Sequence, residues 1–226
     1  MSRLRTVASL NPLATLQIIN SPQTKTILFQ NVRSLHLHIQ DVQGDYNIKK
    51  ADVYIFVETK LCLSDRDGTY ELIGFILYRN DFNLSTIRTS YRTAMYINND
   101  LNCTEIPYRF NVNDVEITVT VLCHPIPNFH IVGIYCSKLV KISQLIEALT
   151  HLHNSVLMEP TFPTVLLGDF NINLIQEDTE QKALKAFLIV NRKYTQLINQ
   201  YTTDYRTQID HIYTNVPHLV QSAGTL

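Results

Sequence analysis

Apolar residues along this chain recur with two periods that alternate. Runs dense in β-branched and aromatic residues at 26–31, 52–57, 93–98, 115–123, 129–136, 164–168 and 209–213 predict strands. Between them, 36–48, 138–157 and 178–199 carry apolar residues three and four apart. Leu139, Ile142, Leu145, Ile146, Leu149 and Leu152 form one stripe, and Ala183, Leu184, Phe187, Leu188 and Ile198 another. Stripes of this kind predict helices that bury one face in a core. The turn formers Asn98-Asn99-Asp100 and Pro125-Ile126-Pro127-Asn128 join the runs at 93–98, 115–123 and 129–136, which predicts antiparallel pairs among them. Helices follow the first, fifth and sixth runs. Both patterns together fit a layered α/β fold with mixed sheets better than a purely parallel one.

No repeat, low-complexity tract or Gly/Ser linker divides the chain, so one domain is expected over 26–226. Residues 1–25 hold Arg3, Arg5 and Lys25 and no acid. They read as a poorly ordered lead-in or a polyprotein junction, rather than as the organelle-targeting peptide that such a basic composition also resembles.

Composition narrows the function classes. At 226 residues, 45% hydrophobic and 17% charged, the chain has enough apolar material for one sizeable core. Its formal net charge is -1, so a nucleic-acid partner must be gripped by local clusters or through a metal. Arg79, Arg88 and Arg92, interleaved with Tyr78 and Tyr91, are the best basic candidate. Cys62, Cys103, Cys123 and Cys136 are widely spaced, which indicates neither a zinc site nor a disulfide framework and points to a reducing compartment. No run of about 18 apolar residues is present, so a soluble intracellular protein without a membrane partner is expected.

Candidate chemistry collects at strand ends. Val165-Leu166-Leu167-Gly168-Asp169-Phe170-Asn171 is an apolar run closed by an acid and an amide one residue apart. Extended backbone would point Asp169 and Asn171 to one side and Phe170 into the core. A carboxylate can take a proton from attacking water, and an amide can hold that water or a phosphate oxygen without adding charge. Gly, Asp and Asn also form ordinary turns, so this pattern alone does not decide. Asn31 closes the first run, Glu58 the second, Tyr135 lies near the end of 129–136, and Asp210 opens the last run. Glu58 is suited to a hard divalent ion, which takes oxygen ligands and often only one or two carboxylates.

In this order the residues resemble the exonuclease-endonuclease-phosphatase superfamily of metal-dependent phosphodiesterases. The matching pieces are Gln30-Asn31-Val32-Arg33-Ser34-Leu35, Phe56-Val57-Glu58-Thr59-Lys60, Gly133-Ile134-Tyr135, Leu167-Gly168-Asp169-Phe170-Asn171 and Ile209-Asp210-His211-Ile212-Tyr213. Asn31 through His36, with Asp41 and Arg79-Asn80-Asp81-Phe82, is most similar to endonuclease domains of mobile elements, either non-long-terminal-repeat retrotransposons or helicase-fused rolling-circle transposons. The resemblance implies a four-layer sandwich of two packed mixed sheets flanked by helices. It further implies Mg²⁺ or Mn²⁺ at Glu58 with Asn31 close by, Asp169 acting on the attacking water with Asn171, Tyr135 at the phosphate, and Asp210 supporting a histidine. DNA is the implied partner, in the nucleus if expressed, with helicase or reverse-transcriptase modules in a parent polyprotein.

The family closes with a Ser-Asp-His segment on a further strand, and this chain stops at Leu226 without it. His211, next to Asp210, would face the other side of a strand. The remaining histidines lie outside the matching motifs. A C-terminally truncated domain lacking the final family strand is therefore expected, with a bare strand edge and weak or lost hydrolysis. A nucleic-acid-binding remnant without enzyme activity and a phosphatase of the same superfamily are the alternatives.

Overall fold

The computed structural model describes residues 14–20, 23–45, 50–80, 92–101, 103–112, 115–122 and 129–225. Within them lie β1 (Ala14–Asn20), β2 (Gln23–Asn31), α1 (Leu35–Gly44), β3 (Val53–Val57), β4 (Phe75–Arg79) and β5 (Thr93–Asn98). There follow β6 (Cys103–Val112), β7 (Val115–Leu122), β8 (Phe129–Cys136), α2 (Ile142–Ser155) and β9 (Thr164–Asp169). Then come α3 (Thr179–Lys185), which continues as a π-helical turn over Ala186–Asn191, and β10 (Thr195–Gln196), β11 (Asp210–Thr214) and β12 (Val220–Thr225). One sheet has the order β12-β1-β2-β3-β5-β4 and the other β10-β11-β9-β8-β7-β6, and both are mixed.

Burial on both faces explains the near-continuous apolar runs. In β3, Val53, Ile55 and Val57 point into the sandwich, while Tyr54 and Phe56 pack outward with Leu35 and Val42 of α1. Across the sandwich, Ile131, Val165, Leu167 and Ile212 of the second sheet meet the inner residues of the first. Its outer face, with Val132, Ile134 and Leu166, lies under Leu145, Leu149 and Leu152 of α2 and Leu184 and Leu188 of the third helical segment. The layers are helix, sheet, sheet, helix, as the resemblance implied.

Two expectations need correction. Residues 14–20 and 23–25 are not a loose lead-in: β1 and the start of β2 form a hairpin that pairs from Ala14↔Phe29 to Asn20↔Gln23. β12 pairs along the other edge of β1. The 93–98 run does not pair with 115–123. β5 lies between β3 and β4 in the first sheet, while β7 pairs with β6 and β8 in the second.

Parallel pairing determines where strand ends meet. β2 runs parallel to β3 with Asn31 opposite Val57, and β8 runs parallel to β9 with Tyr135 opposite Asp169. β11 is antiparallel to β9, so its first residue, Asp210, lies opposite Asp169. Gly168 fits this register because a Cβ there would stand 2.0 Å from the Ile134 carbonyl oxygen, a backbone atom that cannot move aside. Gly168→Ala is expected to cost about 3 kcal/mol or more, read as a lower urea midpoint; an unchanged midpoint would contradict this packing.

Candidate active site

The first sheet brings Asn31 to the shared edge and the turn after β2 holds it. Its Oδ1 accepts from the Arg33 N–H at 3.0 Å, and Ser34 caps α1 by accepting from the Leu37 N–H at 3.3 Å. This accounts for the Asn-Val-Arg-Ser order as one turn and one helix cap. The next loop is laced to it: Val32 N donates to Val57 O at 3.1 Å, and Leu35 N to Thr59 O at 2.8 Å. Glu58, directly after β3, is thereby placed beside Asn31.

From the second sheet Asp169 reaches across. The Asn31 amide Nδ2 donates to Asp169 Oδ2 at 3.0 Å, and the Asn171 N–H donates to Oδ1 at 3.0 Å. Asn31, Asp169 and Asp210 are buried, whereas Glu58 and Asn171 are half-buried and are the members that solvent reaches. Tyr135 is 4% exposed and packs with the inter-sheet core. The register puts Tyr135, Asp169 and Asp210 in one row on the inner face of the second sheet.

Negative charge is crowded here. Burial is the main cause that pushes the Asp169 carboxyl up from its ordinary value; its hydrogen bonds from Asn31 and Asn171 oppose the shift, Glu58 adds to it and Lys138 draws it back. Asp210 is also raised, first by burial and then by the Asp169 and Glu58 charges, against the hydroxyl of Thr202. That hydroxyl also accepts from the backbone N–H groups of Ile209 and Asp210, each at 3.1 Å. Among the described residues, Asp210 Oδ1 is buried without a hydrogen-bond partner. Crowded carboxylates with an unused oxygen are suited to a hard cation. Among the described residues no three His, Cys, Asp or Glu side chains close on one point. A metal here would therefore rest on Glu58, Asn31 and the substrate's own oxygens rather than on a protein cage.

Backbone strain marks the same edge. Non-glycine residues with positive φ include Arg33 (52°), Glu58 (53°), Lys60 (54°), Arg92 (100°) and Asn171 (51°). Such residues cost of order 1–3 kcal/mol each and concentrate at functional sites. This conformation also corrects one expectation. β9 ends at Asp169, so strand alternation does not carry Asn171 to its side. Instead the Asn171 side chain donates to the Cys136 carbonyl at 2.7 Å, bracing the ends of β8 and β9.

His211 faces away from Asp210, with its Nε2 2.9 Å from the Ile172 carbonyl and its ring stacked on Phe170 at 4.8 Å. The proposed arginine cluster does not form a solvated patch. Arg79 is buried, with its guanidinium donating to Cys62 O, Asp65 O and Asp67. Arg92 is buried against Glu116, Tyr78 packs on the inter-sheet core, and Arg88 and Tyr91 lie outside the described residues. Cys62 is a free thiol, and Cys123 is outside the described residues. Lys138 and Thr202, which act on the two aspartates, carried no sequence signal: one follows a strand and the other sits in a loop of threonines.

No family model matches the sequence, and no curated protein does. Solved structures do match. The endonuclease domain of TRAS1, a telomere-specific non-LTR retrotransposon, is 16% identical, with 83% of this chain and 82% of that one covered at a TM-score of 0.63. An AP endonuclease from Archaeoglobus fulgidus is 16% identical over 84% and 86%, with a TM-score of 0.60. D. rerio TDP2, complexed with a single strand DNA product, is 11% identical over 83% and 82%, with a TM-score of 0.56. The chain has the endonuclease/exonuclease/phosphatase fold.

Titration tests the charge crowding. A carboxyl raised in the folded state contributes stability below its unfolded value of about 3.9, and that contribution is lost as pH rises through the folded value. In metal-free protein, Asp210→Asn is therefore expected to raise the thermal midpoint relative to wild type more at pH 8 than at pH 4. An equal difference at both would show that Asp210 titrates normally. Asn31→Leu removes a donor to the Asp169 carboxylate, so the Asp169 ¹³Cγ titration should move to higher pH; an unmoved or lower midpoint contradicts the contact.

Proposed function

We propose that this protein hydrolyses phosphodiester bonds in DNA with a divalent cation, Mg²⁺ or Mn²⁺. The observation that carries the reading is the 3.0 Å bond between Asn31 and Asp169, which closes two sheets at the edge where the Glu58 and Asp210 charges also converge. The activities named for the neighbours, endonuclease and AP endonuclease, support nucleic-acid hydrolysis as the general chemistry. The DNA held by TDP2 supports DNA as the partner.

In this mechanism the Glu58 carboxylate and Asn31 Oδ1 would hold the cation, which would supply neutralisation of phosphate oxygen charge. Asp169, held by the Asn31 amide and the Asn171 N–H, presents a carboxylate whose raised pKa suits it to accept a proton from water. Tyr135 contributes a hydrogen bond near the phosphate, and Asn171 holds Asp169 from its N–H while its side chain braces Cys136. Asp210 orients the row from β11, and its unpartnered Oδ1 is the place where the resemblance expects a histidine. With that oxygen unpartnered among the described residues, slow hydrolysis is the expectation. The likeness to a retrotransposon endonuclease domain supports a mobile-element origin; action in the nucleus and a parent polyprotein with helicase or reverse-transcriptase modules are part of the same proposal. No described helix is long and apolar enough to cross a membrane.

The orphaned Asp210 oxygen favours one second reading, a domain that binds nucleic acid without cutting it. Plasmid nicking separates the two. Slow nicking in Mg²⁺, absent in EDTA and reduced at least about 100-fold by Glu58→Ala, is expected. Nicking indifferent to EDTA or to Glu58 contradicts the proposal, and salt-sensitive DNA binding with no metal-dependent cleavage establishes the second reading.

A further inference from the structure

One buried ion pair lies beside the site and takes no part in the mechanism above. Glu116, from the inner face of β7, is 1% exposed, and Arg92, just before β5, is 3% exposed. Arg92 Nη1 stands 3.4 Å from Glu116 Oε1. Among the described residues, Arg92 Nε and Glu116 Oε2 have no hydrogen-bond partner.

The pair touches both halves of the site. On the second sheet Glu116 lies opposite Tyr135, which lies opposite Asp169, which lies opposite Asp210, so the four occupy one row. On the first sheet the carbonyl of Arg92 accepts from the Thr59 N–H at 3.2 Å, one residue beyond Glu58. Glu58, Lys60 and Arg92 all have positive φ, so this stretch needs outside contacts to stay as it is. Two further contacts bind the same corner: Thr93 Oγ1 to Thr118 Oγ1 at 2.6 Å, and Asn80 Nδ2 to Ile117 O at 3.3 Å.

We propose that Glu116 is a positioning residue that sets the Glu58 turn against Asp169 by holding Arg92 across the sandwich. Apolar burial would secure this corner more cheaply than a buried ion pair, which is often no more stabilising than a well-packed apolar replacement. Apolar side chains cannot, however, fix the Arg92 carbonyl that receives Thr59. The inference rests on the nuclease reading, in which Glu58 holds the cation.

The test uses the full chain and Mn²⁺ as probe. A double variant, Arg92→Met with Glu116→Leu, removes both buried charges together and so avoids stranding one of them. It should stay folded, bind Mn²⁺ about 10-fold more weakly by electron paramagnetic resonance, and exchange the Thr59 amide faster while the amides of β8 and β9 keep their protection. Arg92→Lys, which keeps a cation against Glu116 and strands neither charge, should retain most of the affinity. Unchanged Mn²⁺ affinity and Thr59 exchange in the double variant would overturn the proposal. So would a uniform loss of protection in all strands, or an Arg92→Lys variant as weak as the double one. Glu58→Gln reports separately: if wild type takes up Mn²⁺ but this variant loses none of it, the nuclease reading itself fails, whatever the Glu116 variants do.

Discussion

A side-chain hydrogen bond joins the two sheets at the edge where the site lies. Asn31 donates it and Asp169 receives it, 138 positions apart in sequence. Its geometry depends on two parallel pairings, β2 with β3 and β8 with β9, which send the ends of all four strands to the same edge. Antiparallel β11 then enters from that edge, so that Asp210 begins where Asp169 ends. The chemistry thus sits on strand ends whose positions are set by a packed core, while the loops beyond them remain free to vary.

Electrostatics follows from this placement. Burial and mutual repulsion hold Asp169 and Asp210 above the ordinary carboxyl range, and the donors at Asn31, Asn171 and Thr202 only partly counter it. A fold stabilised for its own sake would separate these charges. On the proposed function, their place together beside strained backbone at Glu58 and Asn171 would be accounted for by a bound cation and phosphate.

Much of this was legible in the amino-acid sequence, because both signals involved are local. Runs such as Val53–Val57 are apolar on both faces, which marks central strands, and the polar residue closing each run marks the edge. What was not legible depended on partners far along the chain. Arg79 and Arg92 read as a solvated basic patch, yet their acceptors are Cys62 and Asp65 carbonyls, Asp67 and Glu116. Asn171 read as a strand residue, but its positive φ turned its side chain to Cys136. β1 was hidden inside a segment with basic residues and no acid, since pairing on both of its edges, not composition, makes it a strand. Glu116 was indistinguishable from an exposed strand acid until the sheets were packed.

The central claim is that Glu58, Asn31, Asp169 and Asp210 surround one hydrolytic centre. Anomalous diffraction from crystals soaked in Mn²⁺ tests it most directly. The account predicts a single strong peak within coordination distance of the Glu58 carboxylate, on the side facing Asn31 and Asp169. A peak bound elsewhere, with the Glu58 carboxylate untouched, would contradict it.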